Sequence, residues 1–376
     1  MLGPQCDWLG TDDCEAVSLW LYEDEGDVKV TFEQGFLERT QHDSTAELQK
    51  ENTTKNPTVA GKMVKIIVGM MGSSVAKGSS SLSTPIQVTS FLNTVSKHGF
   101  VHELDTARVY NGGRSEELLG ETDAHKRFAI STKAPAFAAG SLAEQNIIAN
   151  CRKSLAALKQ DKVDIYYLHG PDRTVALEEQ CRAIDGLYRE GRFERFGVSN
   201  ISDAEVQSIH DICVREGYVL PSVYQGGYNP IGRGAEKTLF QLLRKLGMAF
   251  YAFSPLAGGL LAKPLAEIRT PAKGSRFDEM KIFGDIYLTK EILGALEMVQ
   301  SRCDVEGVPL MEATMRWFVH HSPLGKEDGV IIGASTEAQI DASLNACEKG
   351  PLSEEMQRKW AELWGVLSKN PPRYHS

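Results

Sequence analysis

Short apolar runs recur along the chain from Met63 onward, and stretches with a helical spacing of apolar residues separate them. The eight runs are KIIVGM (65–70), FVHELDT (100–106), RFAISTK (127–133), VDIYYLH (163–169), RFGVSN (195–200), SVYQGG (222–227), MAFYAFS (248–254) and GVIIGAS (329–335). Runs this short and this apolar are typical of strands buried on both faces, as in a parallel sheet. Eight of them in alternation with helices favour an α/β fold of the closed (β/α)8 TIM-barrel type over an open, doubly wound sheet.

Helical patterns fill the intervals between these runs. Ser141–Leu158 and Ser202–Glu216 both open with Ser-x-x-Glu, which predicts a capping box at the start of each helix. The other helices are expected over Thr84–His98, Leu177–Arg189, Ala235–Leu246, Lys290–Val305 and Thr336–Cys347.

One interval is much longer than the others. About 75 residues separate the seventh run from the eighth, and residues 257–288 within them are rich in Gly, Pro and Lys. Long loops in compact domains are commonly functional, and a loop that follows a barrel strand lies on the face where active sites form. We therefore expect a long functional loop after strand 7.

The first 62 residues differ from the rest of the chain. They hold 13 acidic and 5 basic residues, and residues 41–62 are almost entirely polar. A short strand is indicated at Val28–Phe32, without an evident partner. We expect residues 1–62 to be an acidic, largely disordered N-terminal extension and residues 63–376 to form the barrel.

Composition narrows the class of function. The extension accounts for −8 of the formal net charge of −9, so the remainder is nearly neutral and offers no obvious electrostatic footprint for nucleic acid. No run of about 18 apolar residues is present, so no membrane span is expected. The seven cysteines are scattered without a C-x-x-C pair, which indicates reduced thiols, a cytoplasmic location and no zinc site. The chain is expected to act as a monomer or homodimer.

Candidate chemistry lies where strands 2, 3 and 4 end. Asp105 ends strand 2, Lys133 ends strand 3, His169 ends strand 4, and Tyr110 follows in the loop after strand 2. The C-terminal strand ends of a barrel share one rim, so these four side chains are expected to meet. A phenol has a pKa of about 10, and a neighbouring ammonium lowers it, while a histidine N–H can share developing charge on an oxygen. The set predicts proton transfer to a carbonyl oxygen.

The residues that carry this chemistry lie in blocks that resemble one family. DTARVYNGGRSEELLG, ISTKA, YYLHGPD, FGVSN, YQGGYNP, AFYAFSPLAGGLL and VIIGAST occur in the order found in aldo-keto reductases, and PLAGGLL with YNP looks most like the aflatoxin-aldehyde reductase branch. The resemblance implies an NADP-dependent carbonyl reductase that takes a small-molecule carbonyl substrate. It also implies Tyr110 as proton donor, Lys133 and Asp105 as the pair that tunes it, and His169 as the residue that places the substrate.

The resemblance further implies how NADPH, in preference to NAD, would lie across the rim without a Rossmann G-x-G-x-x-G motif. Asp105 would lie beside the nicotinamide, Ser199, Asn200 and Gln225 would bind its carboxamide, and Phe253 would stack on its ring. The cofactor phosphates and adenosine would contact Ser254, Pro255, Leu256, Ala257, Gly258, Gly259, Leu260, Lys263, Arg276, Gly333, Ala334, Ser335 and Gln339. Glycines in such a turn permit close approach of the backbone to an anion, and a helix N-terminus suits a phosphate.

Three alternatives stay open. A barrel that binds NADPH and regulates a partner would use the same cofactor residues, with the acidic extension as an interaction tail. An aldolase or lyase would use Lys133 as a Schiff-base nucleophile. A reductase could serve broad aldehyde detoxification or one step of a biosynthetic, secondary-metabolite pathway. His320-His321 is not expected to bind metal, because adjacent helical residues face different sides.

Overall fold

Eight parallel strands close into a barrel in the computed structural model. The structure describes residues 22–24, 27–29, 64–71, 82–269, 277 and 281–369. The barrel strands are β1 Lys65–Gly69, β2 Val101–Asp105, β3 Ala129–Ala134, β4 Val163–Leu168, β5 Phe193–Ser199, β6 Pro221–Gly227, β7 Ala249–Phe253 and β8 Gly329–Gly333. Strand β8 pairs in parallel with both β7 and β1, which closes the sheet. The predicted (β/α)8 barrel is therefore confirmed.

Helices surround the strands. They are α1 Pro85–Ser96, α2 Arg114–Glu121, α3 Glu144–Leu158, α4 Leu177–Arg189, α5 Asp203–Glu216, α6 Leu239–Lys245, α7 Leu265–Ile268, α8 Lys281–Tyr287, α9 Lys290–Glu306, α10 Leu310–His320, α11 Glu337–Cys347 and α12 Glu354–Leu367. The main core lies between the outer faces of the strands and these helices. Part of the long interval after β7 is thus helical, since α7 to α10 lie within it. The pattern analysis did not identify α7, α8, α10 and α12.

The two capping-box predictions had different outcomes. At α5 the Ser202 hydroxyl accepts from the backbone N–H of Glu205, and the Glu205 carboxylate accepts from the backbone N–H of Ser202, so the box is present. At α3 the prediction was wrong, because the helix begins only at Glu144 and Ala143 holds the capping position without a side-chain bond. Ser141 lies in the turn before the helix, where its hydroxyl contacts Asp172 instead.

Large side chains fill the inside of the barrel. An inner cluster of buried residues consists of Ile67, Ile165, Tyr167, Val223, Tyr251 and Ile331. Gly197 makes room for Tyr167, since a Cβ at position 197 would lie 2.2 Å from a ring carbon of that tyrosine. The barrel is therefore a packed core, and the open ends of its strands are left for chemistry.

The N-terminal extension contains a pair of short strands among the residues that the structure describes. Strands Tyr22–Asp24 and Asp27–Lys29 pair antiparallel, so part of the strand indicated at Val28–Phe32 is present and has a partner.

Candidate active site

An ion pair lies at the C-terminal rim of the barrel. Asp105 is the last residue of β2 and Lys133 lies near the end of β3; both side chains are at least nine-tenths buried. The Lys133 ammonium donates to Asp105 Oδ1 at 2.5 Å and to the backbone oxygen of Thr106 at 2.8 Å. A carboxylate and a carbonyl in this arrangement hold the lysine charged although water is excluded.

Tyr110 lies over this pair. The Lys133 ammonium is 5.1 Å from the centre of the Tyr110 ring. Tyr110 in turn meets the ring of His169 edge to face, with 5.8 Å between the ring centres. The structure thus brings together the four side chains that were predicted to meet: Asp105, Tyr110, Lys133 and His169.

The pKa of Tyr110 is raised above 10. Burial is the largest cause, Lys133 opposes it, and the charge of Asp105 adds to it. The lysine lowers the phenol's pKa as expected, but burial outweighs that effect. The pKa of Lys133 is also raised, because Asp105 and Tyr110 together outweigh the burial that would lower it. At neutral pH the site therefore holds a protonated phenol beside an ammonium.

His169 follows the last residue of β4 and is buried. Burial and, secondly, the charge of Lys133 lower its pKa well below the ordinary value, so the imidazole is neutral at pH 7. Among the described residues its Nδ1 atom has no hydrogen-bond partner. A neutral imidazole keeps one N–H, which can donate to a bound oxygen.

A brace that sequence reasoning missed holds the loop that carries Tyr110. Arg108 donates to Glu116 Oε2 at 2.5 Å, and the Thr132 hydroxyl donates to Glu116 Oε1 at 2.5 Å. Glu116 is fully buried, so these bonds fix the start of α2 to β3. The sequence signal for this brace was a glutamate on the buried face of the helix, two residues after Arg114 in the NGGRSEELLG block.

The predicted carboxamide ligands are neighbours on β5 and β6. Ser199 and Gln225 are paired in register, and Asn200 directly follows β5. Asn200 has the left-handed φ of 58° and its amide donates to the backbone oxygen of His169 and to Ser199 Oγ, both at 3.0 Å. The Gln225 amide donates to Asp105 Oδ2 at 2.8 Å. All three are buried beside the acid–base cluster.

The chain after β7 forms a tight turn. Phe253 ends the strand, half-buried, and a 3-10 helix over Ala257–Ala262 follows the Ser254-Pro255-Leu256 corner. Four residues have positive φ, namely Ser254 at 52°, Ala257 at 49°, Gly258 at 68° and Gly259 at 108°. A backbone in this left-handed conformation turns successive N–H donors toward the same side, where they form a concave site that can bind an anion. Leu260 is buried within the turn, and Lys263 beyond it is exposed, 3.7 Å from Glu267.

The rim after β8 is more open. Gly333 is exposed, with no atom within 4 Å of where its Cβ would be, and Ala334 and Ser335 lead into α11. Gln339 is exposed, but its side-chain oxygen accepts from the backbone N–H of Ser335 at 2.9 Å. The Gln339 side chain, which was predicted to reach the adenosine of the cofactor, therefore binds the backbone at the start of α11 in this structure. Arg276 lies outside the described residues.

The family model described as "Aldo/keto reductase family" matches residues 65–365. The chain belongs to the aldo/keto reductase family. It is thus an oxidoreductase that acts on carbonyl groups.

Several relatives of this aldo/keto reductase are similar over most of their length. An oxidoreductase named sirO from Leptosphaeria maculans is 40% identical over 280 residues, which cover 73% of this chain and 84% of that protein. Aflatoxin B1 aldehyde reductase member 2 of Rattus norvegicus is 33% identical over 293 residues, 73% of this chain and 79% of the relative. The aldo-keto reductase pigE of Monascus ruber is 30% identical over 345 residues, 86% and 98% of the two chains.

Other features of this aldo/keto reductase have structural explanations. His320 Nε2 donates to the backbone oxygen of Lys349 at 2.7 Å, and His321 Nε2 accepts from the backbone N–H of Leu352 at 2.9 Å. In the described ranges no three His, Cys, Asp or Glu side chains come together as metal ligands. Within the same ranges, no helix combines the length and apolar content needed to span a bilayer.

Proposed function

We propose that this protein reduces an aldehyde or ketone to the alcohol with NADPH, and that the barrel unit, residues 63–376, carries the activity. The overall change is carbonyl compound plus NADPH plus a proton, giving alcohol plus NADP+. The observation that carries the proposal is the buried Lys133–Asp105 pair under Tyr110, with neutral His169 beside the same phenol. The cluster provides a proton donor and an oxygen-binding N–H at one point on the rim.

Each side chain has a physical role in this scheme. Tyr110 is protonated at neutral pH, as burial raises its pKa further above the ordinary phenol value, so it has a proton to donate to the substrate oxygen. Lys133 stabilises the phenolate that remains, and Asp105 holds the lysine charged and oriented. His169 donates its N–H to the substrate oxygen and so fixes its position between two donors.

The cofactor fits the chain's own features. When bound, NADPH supplies the hydride that the carbonyl carbon receives. Ser199, Asn200 and Gln225 present amide and hydroxyl groups beside the cluster, which suits a carboxamide. The left-handed turn from Ser254 to Gly259 suits a pyrophosphate, and the open rim at Gly333 to Ser335 suits a further phosphate, which favours NADPH over NADH.

The relatives favour an aldehyde as the substrate class. Proteins named for the reduction of aflatoxin B1 aldehyde are 33% identical to this chain. The fungal relatives are compatible with either general aldehyde removal or one reductive step of a biosynthetic, secondary-metabolite pathway. Both settings require the same rim chemistry.

A Schiff-base mechanism is not supported by the site. A nucleophilic lysine must be a neutral amine with access to the substrate. Lys133 is fully buried, ion-paired and held charged by a raised pKa. A binding-only role has no observation in its favour, since a protein that merely holds a cofactor has no need of a buried proton donor with its own charge pair.

The test is Tyr110→Phe. We expect NADPH-dependent turnover of a simple aromatic aldehyde to fall by about 10²–10⁴, the usual contribution of general acid catalysis. Quenching of protein fluorescence by NADPH should stay close to that of the wild type, because the phenylalanine keeps the ring. Unchanged turnover in Tyr110→Phe would exclude the proposed proton donor. NADPH binding without turnover by the wild type over a broad aldehyde and ketone panel would instead favour a sensor.

A further inference from the structure

One contact at the site joins two groups that the proposed function treats separately. The Gln225 side-chain amide donates to Asp105 Oδ2 at 2.8 Å, across the barrel interior from β6 to β2. Gln225 is a proposed ligand of the nicotinamide carboxamide, whereas Asp105 belongs to the proton-donating cluster. Both are buried, with 3% and 4% of their surfaces exposed, so water does not substitute for the bond.

The bond completes the hydrogen bonding of Asp105. Oδ1 accepts from Lys133 and Oδ2 accepts from Gln225, so each carboxylate oxygen has its own donor. A buried carboxylate is costly unless its oxygens are satisfied, and a carboxylate with one donor is free to turn about its last bond. Gln225 therefore fixes the orientation in which Asp105 faces Lys133.

The same amide retains capacity for a second partner. A glutamine side chain has two N–H donors and one oxygen acceptor, and the contact with Asp105 uses one N–H, which leaves the oxygen as an acceptor for a ligand. Ser199, its partner in register on β5, brings a hydroxyl to the same place. A carboxamide bound there can thus engage Gln225 while the bond to Asp105 persists.

We propose that Gln225 is a positioning residue that ties cofactor binding to the orientation of the Asp105–Lys133 pair, and through it to Tyr110. The inference rests on the proposed function and assigns Gln225 a role beyond holding the cofactor. Binding at the Gln225 oxygen polarises the amide and strengthens its N–H bond to Asp105. The proton donor then reaches its working arrangement when the nicotinamide site is filled.

Several ionisable groups face this contact. They are Lys133 on β3, Tyr167 on β4, His169 directly after β4, Tyr110 in the loop after β2, Tyr251 on β7 and, toward the N-terminal end of the barrel, Glu103 on β2 and Arg195 on β5. Arg195 and Glu103 bind each other and Tyr251, so they form a separate group. A new charge at position 225 therefore acts mainly on Asp105, its hydrogen-bond partner.

The test compares Gln225→Glu and Gln225→Leu with Ser199→Ala, which removes a proposed carboxamide contact without touching Asp105. Two carboxylates at hydrogen-bond distance cannot both ionise, so the introduced carboxyl and Asp105 hold one proton between them with a raised pKa. While protonated, the new carboxyl donates to Asp105 as the amide did. We expect Gln225→Glu to approach wild-type kcat near pH 5 and to lose it, about tenfold or more, as the pH rises to 8. Gln225→Leu should lose a similar factor at every pH.

Melting temperature without cofactor supplies a second readout. A carboxyl whose pKa is raised on folding stabilises the protein below its unfolded pKa of about 4.3, and that contribution is lost as the pH rises through the folded pKa. The melting temperature of Gln225→Glu should therefore fall relative to wild type between pH 5 and 8. Ser199→Ala should weaken NADPH binding and show neither pH effect.

The inference is overturned if both Gln225 variants weaken only NADPH binding, with pH profiles of kcat and melting temperature parallel to the wild type. This outcome is distinct from failure of the proposed function, in which the wild type would not reduce carbonyl compounds at all. In that case the cofactor-free melting profile still tests whether Gln225 binds Asp105.

Discussion

At the scale of single residues, the site depends on a charged pair that is removed from water. Lys133 is fully buried, and Asp105 and the Thr106 carbonyl accept hydrogen bonds from its ammonium. Burying an ion pair costs free energy. Removing one partner alone destabilises a protein more than replacing both partners, because the remaining charge is then buried without a counter-charge. The protein retains the pair because a charged lysine lowers the cost of forming a phenolate at Tyr110.

Removal of the lysine alone should expose this cost. We expect Lys133→Met to reduce the free energy of unfolding by about 3–5 kcal/mol, because Asp105 is left as an uncompensated buried charge. Reductase activity should fall as well, because the Asp105 charge that raises the pKa of Tyr110 then acts unopposed. Urea unfolding and steady-state kinetics measure the two effects.

The control is Lys133→Met combined with Asp105→Asn. The double variant removes both charges and should recover most of the lost stability, while activity stays low. Equal destabilisation of the single and double variants would show that the pair is not the buried charge unit described above.

The residues of this cluster were predictable because each one ends or follows a strand, and parallel strands of a barrel share one rim. The contacts between them were not. Nothing in the spacing of Asp105 and Gln225 indicates that they touch, because 120 positions separate them and only barrel closure brings β2 and β6 face to face. Whether the pKa of Tyr110 is raised or lowered also depends on the burial of its side chain, which the position of a residue near a strand end does not predict.

At the scale of elements, the β2–α2 connection carries the proton donor. A 3-10 turn at Tyr110–Gly113 contains Asn111 and Gly112 in left-handed conformation, and Gly113 follows with φ of 96°. The Arg108 guanidinium occupies the space beside Gly113, where a Cβ would lie 1.5 Å from Nη2. The glycine therefore allows Arg108 to reach the buried Glu116.

The two adjacent glycines make a matched pair for substitution. Gly112→Ala should cost only the strain of a left-handed alanine, about 1–2 kcal/mol, because no atom lies within 4 Å of its new methyl group. Gly113→Ala should cost about 1–3 kcal/mol more, because it also displaces Arg108 and leaves a Glu116 oxygen without its donor.

Chemical denaturation gives the two free energies, and kcat reports whether the Tyr110 loop has moved. We expect a lower kcat for Gly113→Ala than for Gly112→Ala. Equal effects of the two substitutions on stability and kcat would contradict the proposed brace.

Element prediction succeeded where local sequence decides the structure and failed where tertiary contacts do. Ser202 and Glu205 form the predicted capping box because the helix begins directly after the serine. The same signal at Ser141 was wrong, since Ser141 contacts Asp172 in the preceding turn and the helix begins only at Glu144, whose backbone N–H donates to Glu179. In the interval after β7, α10 was hidden because its residues are apolar on most sides, as fits a buried helix.

At the scale of the whole molecule, the fold follows from eight apolar strands that bury both faces. The order of the strands was predictable because each helix returns the chain to the next parallel neighbour. The barrel is closed by the pairing of the last strand, β8, with the first, β1. The contents of the barrel follow from side-chain size, as Tyr167 fits only because Gly197 lacks a Cβ. This packed interior supports a rim on which the acid–base cluster and the proposed cofactor residues are adjacent.

Hydride transfer to a carbonyl carbon is the central claim, and isotope transfer tests it most directly. The purified protein would be incubated with an aromatic aldehyde and NADPH that carries deuterium at the transferred position of the nicotinamide. The alcohol product is then analysed by mass spectrometry. We expect one deuterium on the carbinol carbon of every product molecule formed. An alcohol without deuterium, or no alcohol from any carbonyl compound tested, would contradict the account.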